Sequence, residues 1–246
     1  MRKISILFLF FAILFTQSTY SQIGIKIGPM LGLTNPTSDF SGETTDFYAG
    51  TKYGMKSGFH FGALGKVVFG PLNGRASLSY ISMSNDGTSD PTTPNSTVDI
   101  SNKLFMITLG TEFGFAIPFS PVRPYAGLDL LITTISGTVN FQGTPEVSAS
   151  ERDIASATRT VLGFAIGSEI GFGKSFVLDL SLRYNLHNLF GKEYEGVTNS
   201  SDRNFAYLFL NDAKDPNYSA IDSKHPIGSD RTIATIQFNV GLLFGF

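Results

Sequence analysis

The feature that most constrains this chain is the strict alternation of apolar and polar residues at its C-terminal end. The apolar set is Ile236, Phe238, Val240, Leu242, Phe244 and Phe246, and the small or polar set is Thr235, Gln237, Asn239, Gly241 and Gly245, with Leu243 as the exception. A period of two places successive side chains on opposite faces of a β-strand. Because strands usually have about 5–6 residues, the pattern predicts an unusually long, two-faced strand.

Seven further segments repeat this period, which brings the predicted number of strands to eight, an even number. They cover residues 23–28, 59–69, 75–80, 105–116, 124–139, 162–172 and 176–187. The strand at 124–139 is apolar on both faces in its middle, so its phase stays open, although Asp129 favours odd positions facing inward.

The predicted connections between these strands alternate between long and short. The long ones cover about 34–55, 85–102, 140–157 and 191–230, and the short ones about 70–74, 118–123 and 173–174. Long loops at one end, short turns at the other and both chain ends on the short side are typical of a transmembrane β-barrel.

A soluble secreted barrel would also alternate, with its apolar face inward. Charged residues make up only 15% of this chain, against about 25% in an average soluble domain. Gly, Ser, Thr and Ala dominate the polar face, as suits a narrow lumen. The apolar face carries aromatic residues near both strand ends: Phe69, Phe115, Phe172, Phe176 and Phe246 at the short-turn end, Phe59, Tyr80, Phe105 and Tyr184 toward the other. We therefore predict an all-β fold, an eight-stranded antiparallel up-and-down transmembrane barrel with long extracellular loops and short periplasmic turns.

The N-terminal residues have the pattern of a secretory signal peptide. Arg2 and Lys3 precede an apolar run over 4–15, and small residues Thr19 and Ser21 stand before the expected cleavage site. An apolar run of about 12 residues is short for a membrane-spanning helix, which needs about 20. We expect a cleaved signal peptide at 1–21 and a barrel domain at 22–246.

The sequence resembles small outer-membrane barrels of the OmpA/OmpX type and, more closely, the PorT-like barrel family. The resemblance rests on the opening IGIKIG at 23–28, on PYAGL at 124–128 and on the terminal strand that ends in Phe246. It implies the outer membrane of a Gram-negative bacterium, with both termini periplasmic. Lipid of the outer membrane would then surround the chain, and the barrel-assembly machinery would recognise Phe244 and Phe246. The resemblance implies no catalytic residue.

Little in the sequence points to chemistry. There is no cysteine, the net charge of −2 gives no support to a nucleic-acid partner, and no hydrolase, zinc-protease or phosphate-loop motif occurs. Rim histidines could serve a hydrolase, but we read His60, His187 and His225 as polar residues at the barrel mouth. Asn211, Asp212, Asp215, Asn217 and Asp222 could offer oxygen ligands to calcium, but we read them as a solvated acidic loop. We expect no enzyme activity and no cofactor.

Charged residues on the inward face form a further candidate site. They are Lys26, Lys66, Arg75 and Arg183 among the bases and Glu112, Asp129, Glu169 and Asp179 among the acids, four of each sign. Isolated charges in a narrow lumen are costly, whereas paired ones are tolerable. We predict an ion-pair network that plugs the lumen; the alternative is that tilt and shear separate the charges and that water solvates each of them.

The longest predicted loop contains an apolar run that should not lie freely in water: Phe205, Ala206, Tyr207, Leu208, Phe209 and Leu210. It is the candidate surface for an extracellular or envelope partner, unless the run only packs on the protein itself. Two function classes stay open, a non-enzymatic surface or scaffold barrel and a porin-like solute channel, with a barrel enzyme as a remoter third. An eight-stranded lumen is just filled by side chains, which counts against the channel.

Overall fold

Eight antiparallel strands close into a barrel in a computed structural model that describes residues 24–49, 51–144, 147, 149–173, 175–188 and 232–245. The elements are β1 (Gly24–Ser38), α1 (Thr44–Tyr48), β2 (Gly58–Phe69), β3 (Leu72–Thr88), β4 (Thr97–Gly114), β5 (Val122–Gln142), β6 (Glu151–Phe172), β7 (Phe176–Leu186) and β8 (Ile233–Gly245). Each strand pairs with its neighbours in sequence, and β1 pairs with β8 to complete the closed barrel. The predicted fold class is confirmed.

The predicted alternation of connection lengths holds only in part, because the connection at 115–121 is nearly as long as those at 89–96 and 143–150. Residues 70–71, 115–121 and 173–175 connect strands at one end of the barrel, and residues 39–57, 89–96 and 143–150 connect them at the other. At that second end β7 ends at Leu186 and β8 begins at Ile233, and most of the residues between them lie outside the described part of the chain. We call the two ends of the barrel the short-turn end and the long-loop end. Within the described ranges, no helix has the length and apolar character needed to cross a membrane.

The barrel wall is much taller on one side than on the other. Strands β5 and β6 have 21 and 22 residues, whereas β7 has 11 and β2 has 12. The predicted loops at 85–102 and 140–157 are therefore too long, since most of their residues belong to strands.

The reason for this error is that the polarity of the two faces reverses along the tall strands. In β4, Phe105 and Leu109 face outward and are exposed, whereas farther from the short turns Ile100 and Leu104 are buried and Lys103 is exposed. The outward apolar residues of this strand run from Phe105 to the position just beyond its end, 105–115, which is the length a tilted strand needs to cross a bilayer. The reversal marks one edge of the apolar band, and the wall continues above it.

The open phase of β5 is resolved by burial. Tyr125, Asp129 and Leu131 are buried, whereas Leu128 and Leu130 are exposed. The odd positions of this strand face inward, as Asp129 indicated.

Candidate functional site

The centre of the lower lumen is the ammonium group of Lys66 on β2. Its Nζ lies 2.9 Å from a carboxylate oxygen of Glu112 on β4, 2.9 Å from Glu169 on β6 and 2.5 Å from Asp179 on β7. The Lys66 side chain is wholly buried. Since β2 and β6 lie four strands apart in both directions around the barrel, this lysine joins opposite walls of the lumen.

Two further cations extend this contact set. Lys26 Nζ lies 2.6 Å from Glu169 Oε2, the carboxylate that also binds Lys66. Arg75 Nε donates to Asp129 Oδ1 at 2.7 Å, and its Nη2 contacts the second oxygen of the same carboxylate. A two-point contact of this kind fixes both the distance and the plane of the pair.

Arg183 completes the predicted set. Its Nε lies 4.0 Å from Asp129 Oδ2, and its Nη1 lies 3.3 Å from Ser77 Oγ. Arg75 Nη1 lies 3.7 Å from Glu112 Oε2, which links the Asp129 side of the lumen to the Lys66 side. The structure therefore brings all eight charged residues singled out in the sequence into one connected lumen network.

Neutral side chains give the carboxylates additional partners. The Tyr125 hydroxyl lies 2.9 Å from Asp179 Oδ1, and the Tyr125 ring centroid lies 4.2 Å from Lys66 Nζ. Asn73 Nδ2 donates to Glu112 Oε1 at 2.7 Å. Such donors strengthen a buried ionic cluster because hydrogen bonds to charged groups are stronger than those between neutral groups.

Sequence reasoning missed two inward-facing cations. Arg123 falls in the predicted short turn at 118–123, but it belongs to β5. Its Nη1 lies 3.6 Å from Glu169 Oε2, and its Nη2 donates to the Gly70 carbonyl at 2.7 Å. Arg159 lies before the predicted start of its strand and is buried higher in the barrel. The expected balance of four bases and four acids is therefore incomplete, and extending the period of two by a few residues would have found both.

An apolar plug fills the upper lumen, contrary to the expectation that small residues line the inward face throughout. We define this plug as the buried cluster in which four residues of the 39–57 connection pack against inward residues of the strands. Its members are Phe40, Phe47, Tyr53, Met55, Ile81, Met83, Val98, Ile100, Leu104, Met106, Leu131, Ile135, Val139, Phe141, Ile154, Ala157, Val161 and Ile233. The wall here rises above the lipid-facing band, so water outside and an apolar core inside are the stable arrangement.

Hydrogen bonds hold the 39–57 connection over the mouth. Thr44 Oγ1 donates to the Thr88 carbonyl at 2.7 Å, and Asn85 Nδ2 donates to the Gly54 carbonyl at 2.6 Å. The Phe47 ring stacks on Phe141 of β5 with centroids 6.2 Å apart. These contacts make the connection part of the barrel interior rather than a free loop.

The two histidines in the described part of the chain lie in hydrogen-bonded, closed positions. His60 Nδ1 lies 2.9 Å from Thr34 Oγ1 and its Nε2 lies 2.9 Å from Asn239 Oδ1. If the amide oxygen accepts from Nε2–H, the Thr34 hydroxyl donates to Nδ1. Although a hydroxyl, an imidazole and an orienting carbonyl are the parts of a hydrolytic triad, both Thr34 and His60 are buried. Among the described residues, these two groups are therefore closed off from solvent.

His187 follows the last residue of β7 and is likewise buried. Its Nε2 lies 2.8 Å from Thr235 Oγ1. Burial lowers the pKa of its imidazole to about 3, so the ring is neutral at ordinary pH. In the described ranges, no group of three or more His, Cys, Asp or Glu side chains is placed to hold a metal ion.

Several predicted sites lie outside the described residues. They are the signal peptide at 1–21, His225, the acidic loop residues Asn211, Asp212, Asp215, Asn217 and Asp222, the apolar run Phe205, Tyr207, Leu208, Phe209 and Leu210, and the terminal Phe246. Phe244 is described: it faces outward from β8, and its ring packs edge-on against Phe176 with centroids 5.0 Å apart.

The distribution of polarity defines the class of protein. Large apolar side chains cover the outside, among them Leu31, Phe61, Leu109, Leu130 and Ile166. The charged residues of the network face inward, and all of them are buried except Lys26, which is partly exposed. This is the reverse of a water-soluble barrel and the arrangement of a barrel that spans a lipid bilayer. The chain is a transmembrane β-barrel.

The family model of the outer membrane protein beta-barrel domain matches residues 4–209. The chain therefore belongs to this family of outer-membrane β-barrels. No curated protein sequence matches it.

The chain is also similar to solved barrel structures. Neisserial surface protein A is 16% identical, with 90% of this chain and 97% of that chain covered and a TM-score of 0.49. OprG from Pseudomonas aeruginosa is 10% identical, with 92% and 97% covered and a TM-score of 0.47. Ail of Yersinia pestis, in complex with the heparin analogue sucrose octasulfate, is 14% identical, with 92% and 99% covered and a TM-score of 0.41.

Proposed function

We propose that this protein is a non-enzymatic surface or scaffold barrel with a closed lumen. The observation that carries the proposal is the filling of the lumen in two layers. The lumen network, centred on the wholly buried Lys66, joins opposite walls near the short turns, and the apolar plug fills the space above it. A barrel whose lumen is filled at two levels is suited to present its loops rather than to pass solutes.

A solute channel is the second function class, and conductance separates the two. We expect the purified protein in a planar lipid bilayer to show no steady single-channel current, because an ion has to pass both the apolar plug and the buried ion pairs. An open porin, purified and reconstituted by the same procedure, serves as the positive control. Large, steady conductance from the wild-type protein would contradict the closed lumen and favour the channel.

The finer placement of the protein follows the sequence resemblance. We place it with the PorT-like barrels of Gram-negative bacteria, with residues 1–21 removed on export and 22–246 as the mature barrel. Both termini would lie in the periplasm and the long connections outside the cell, because the short turns of outer-membrane barrels are periplasmic. Phe244 and Phe246 would then be read by the barrel-assembly machinery, and outer-membrane lipid would cover the apolar band.

The long connections are the proposed contact surface for an extracellular or envelope protein, and the apolar run at 205–210 is its proposed centre. We expect this run to be packed against the protein or a partner rather than free in solvent, because burying six successive apolar residues is favourable. Chymotrypsin added to intact cells should therefore cut slowly within 205–210. Rapid cleavage there, with the fragment identified by mass spectrometry, would show that the run is unprotected.

A further inference from the structure

The β4–β5 turn has a backbone conformation that its sequence does not favour. The Ser120 amide donates to the Ile117 carbonyl at 3.1 Å, and Phe119 has a positive φ of 61°. With Pro118 at the second position, where φ is fixed at a negative value, these features define a type II turn. Its third position normally holds glycine, because a side chain is disfavoured there.

No packing of the Phe119 ring against the described part of the protein compensates for this strain. Its relative exposure is 110%, so it extends fully into the surroundings, and Ile117 and Phe115 beside it are exposed as well. At this position phenylalanine, unlike glycine, adds apolar surface that is directed away from the barrel. Strained positions that local packing does not explain point to a role in binding.

The turn projects from an end of the barrel that stays apolar to its last residues. Outward residues beside the neighbouring short turns include Phe69, Leu72, Phe172 and Phe176, all exposed. At the long-loop end, by contrast, outward positions become polar before the tall strands end. The bilayer surface must therefore lie at or beyond the short-turn end of the strands, and residues 115–121 fall in the interfacial region, where aromatic side chains are favoured.

We propose that this turn is a lipid anchor, which inserts Phe119 and Ile117 into the leaflet at the short-turn end and so fixes the depth of the barrel. Residues 115–121 contain no charged side chain, so a protein partner would find no charge to recognise. The turn continues the outward apolar row of β4, which already faces lipid. Both facts favour a lipid surface as the partner.

The chain has no tryptophan, so a single introduced indole reports on its own position. Phe119→Trp is placed in phosphatidylcholine vesicles whose acyl chains are brominated near the carbonyl end or near the methyl end. We expect blue-shifted emission and stronger quenching by the shallow bromine. Leu109→Trp, in the middle of the apolar band, should be quenched more by the deep bromine. Thr92→Trp, at an exposed position of the 89–96 connection, should be quenched by neither.

Two further variants keep the test decisive. Ile117→Trp probes the same turn if the first variant does not fold. Adding Phe119→Gly to Ile117→Trp removes the ring and relieves the positive φ, and we expect emission shifted toward longer wavelengths and weaker quenching. Two results would overturn the lipid anchor. One is that the indole in Phe119→Trp or Ile117→Trp is quenched as little as the indole in Thr92→Trp. The other is that adding Phe119→Gly to Ile117→Trp leaves the quenching unchanged.

Discussion

Replacing Lys66 with alanine should lower the free energy of unfolding of the barrel by about 3–5 kcal/mol, the usual cost of removing one partner from a buried ion pair. The ammonium group is the shared partner of Glu112, Glu169 and Asp179. Without it, three carboxylates repel one another in a space that is closed to bulk water. Urea unfolding in lipid vesicles, followed by circular dichroism and by heat-modifiable migration, measures the change.

The chain offers a matched control in the ion pair between Lys56 and Glu43, in which both side chains are exposed. Lys56→Ala should change stability by about 0–1 kcal/mol, because water and salt screen such pairs. A rescue variant separates charge from packing: Lys66→Met combined with Glu112→Gln, Glu169→Gln and Asp179→Asn removes the repulsion and should recover part of the loss. If Lys66→Ala and Lys56→Ala had equal effects, the lumen charges would be solvated separately, as the alternative interpretation held.

The charged part of the lumen could be predicted because its residues interrupt a strong pattern. Lys66 and Asp179 each stand at an inward position in a row whose outward neighbours are apolar, so the period of two fixes their direction. Which acid meets which base could not be predicted, because this depends on the pairing register and tilt of all eight strands. Arg123 was missed for a simpler reason: it lies one residue before position 124, where the predicted strand begins, although the period of two extends to it.

The apolar plug was missed because the environment of the barrel wall changes along the tall strands. Above the lipid-facing band the outside of the wall meets water, so polar residues such as Asp99 and Lys103 face outward while Ile100 and Leu104 face inward. A search for apolar-out strands ends where this reversal begins, and it assigns the remaining residues to loops. Nor does the sequence indicate that Phe40 and Met55, which lie between two strands, turn back into the barrel mouth.

The plug leads to the second large effect that we expect. Phe40→Ala should loosen the 39–57 connection from the barrel mouth, because Phe40 is fully buried and packs edge-on against Tyr53 with centroids 5.8 Å apart. Truncating a buried phenylalanine costs about 3–5 kcal/mol. Since each 1.4 kcal/mol is a factor of ten, the population in which this connection is open should rise on the order of 10²- to 4 × 10³-fold.

Limited proteolysis measures that population, since cleavage follows the open fraction when opening and closing are fast. Trypsin cleavage after Lys52, identified by the mass of the fragments, should accelerate strongly in Phe40→Ala while the strands stay paired. Phe59→Ala is the matched control. It removes the same kind of side chain from the second residue of β2, directly after the 39–57 connection, but at an exposed, outward-facing position. It should leave this cleavage rate unchanged. Equal rates in the two variants would mean that Phe40 does not hold the connection. Faster cleavage in Phe40→Ala alone would mean that packing of the 39–57 connection in the apolar plug keeps the barrel mouth closed.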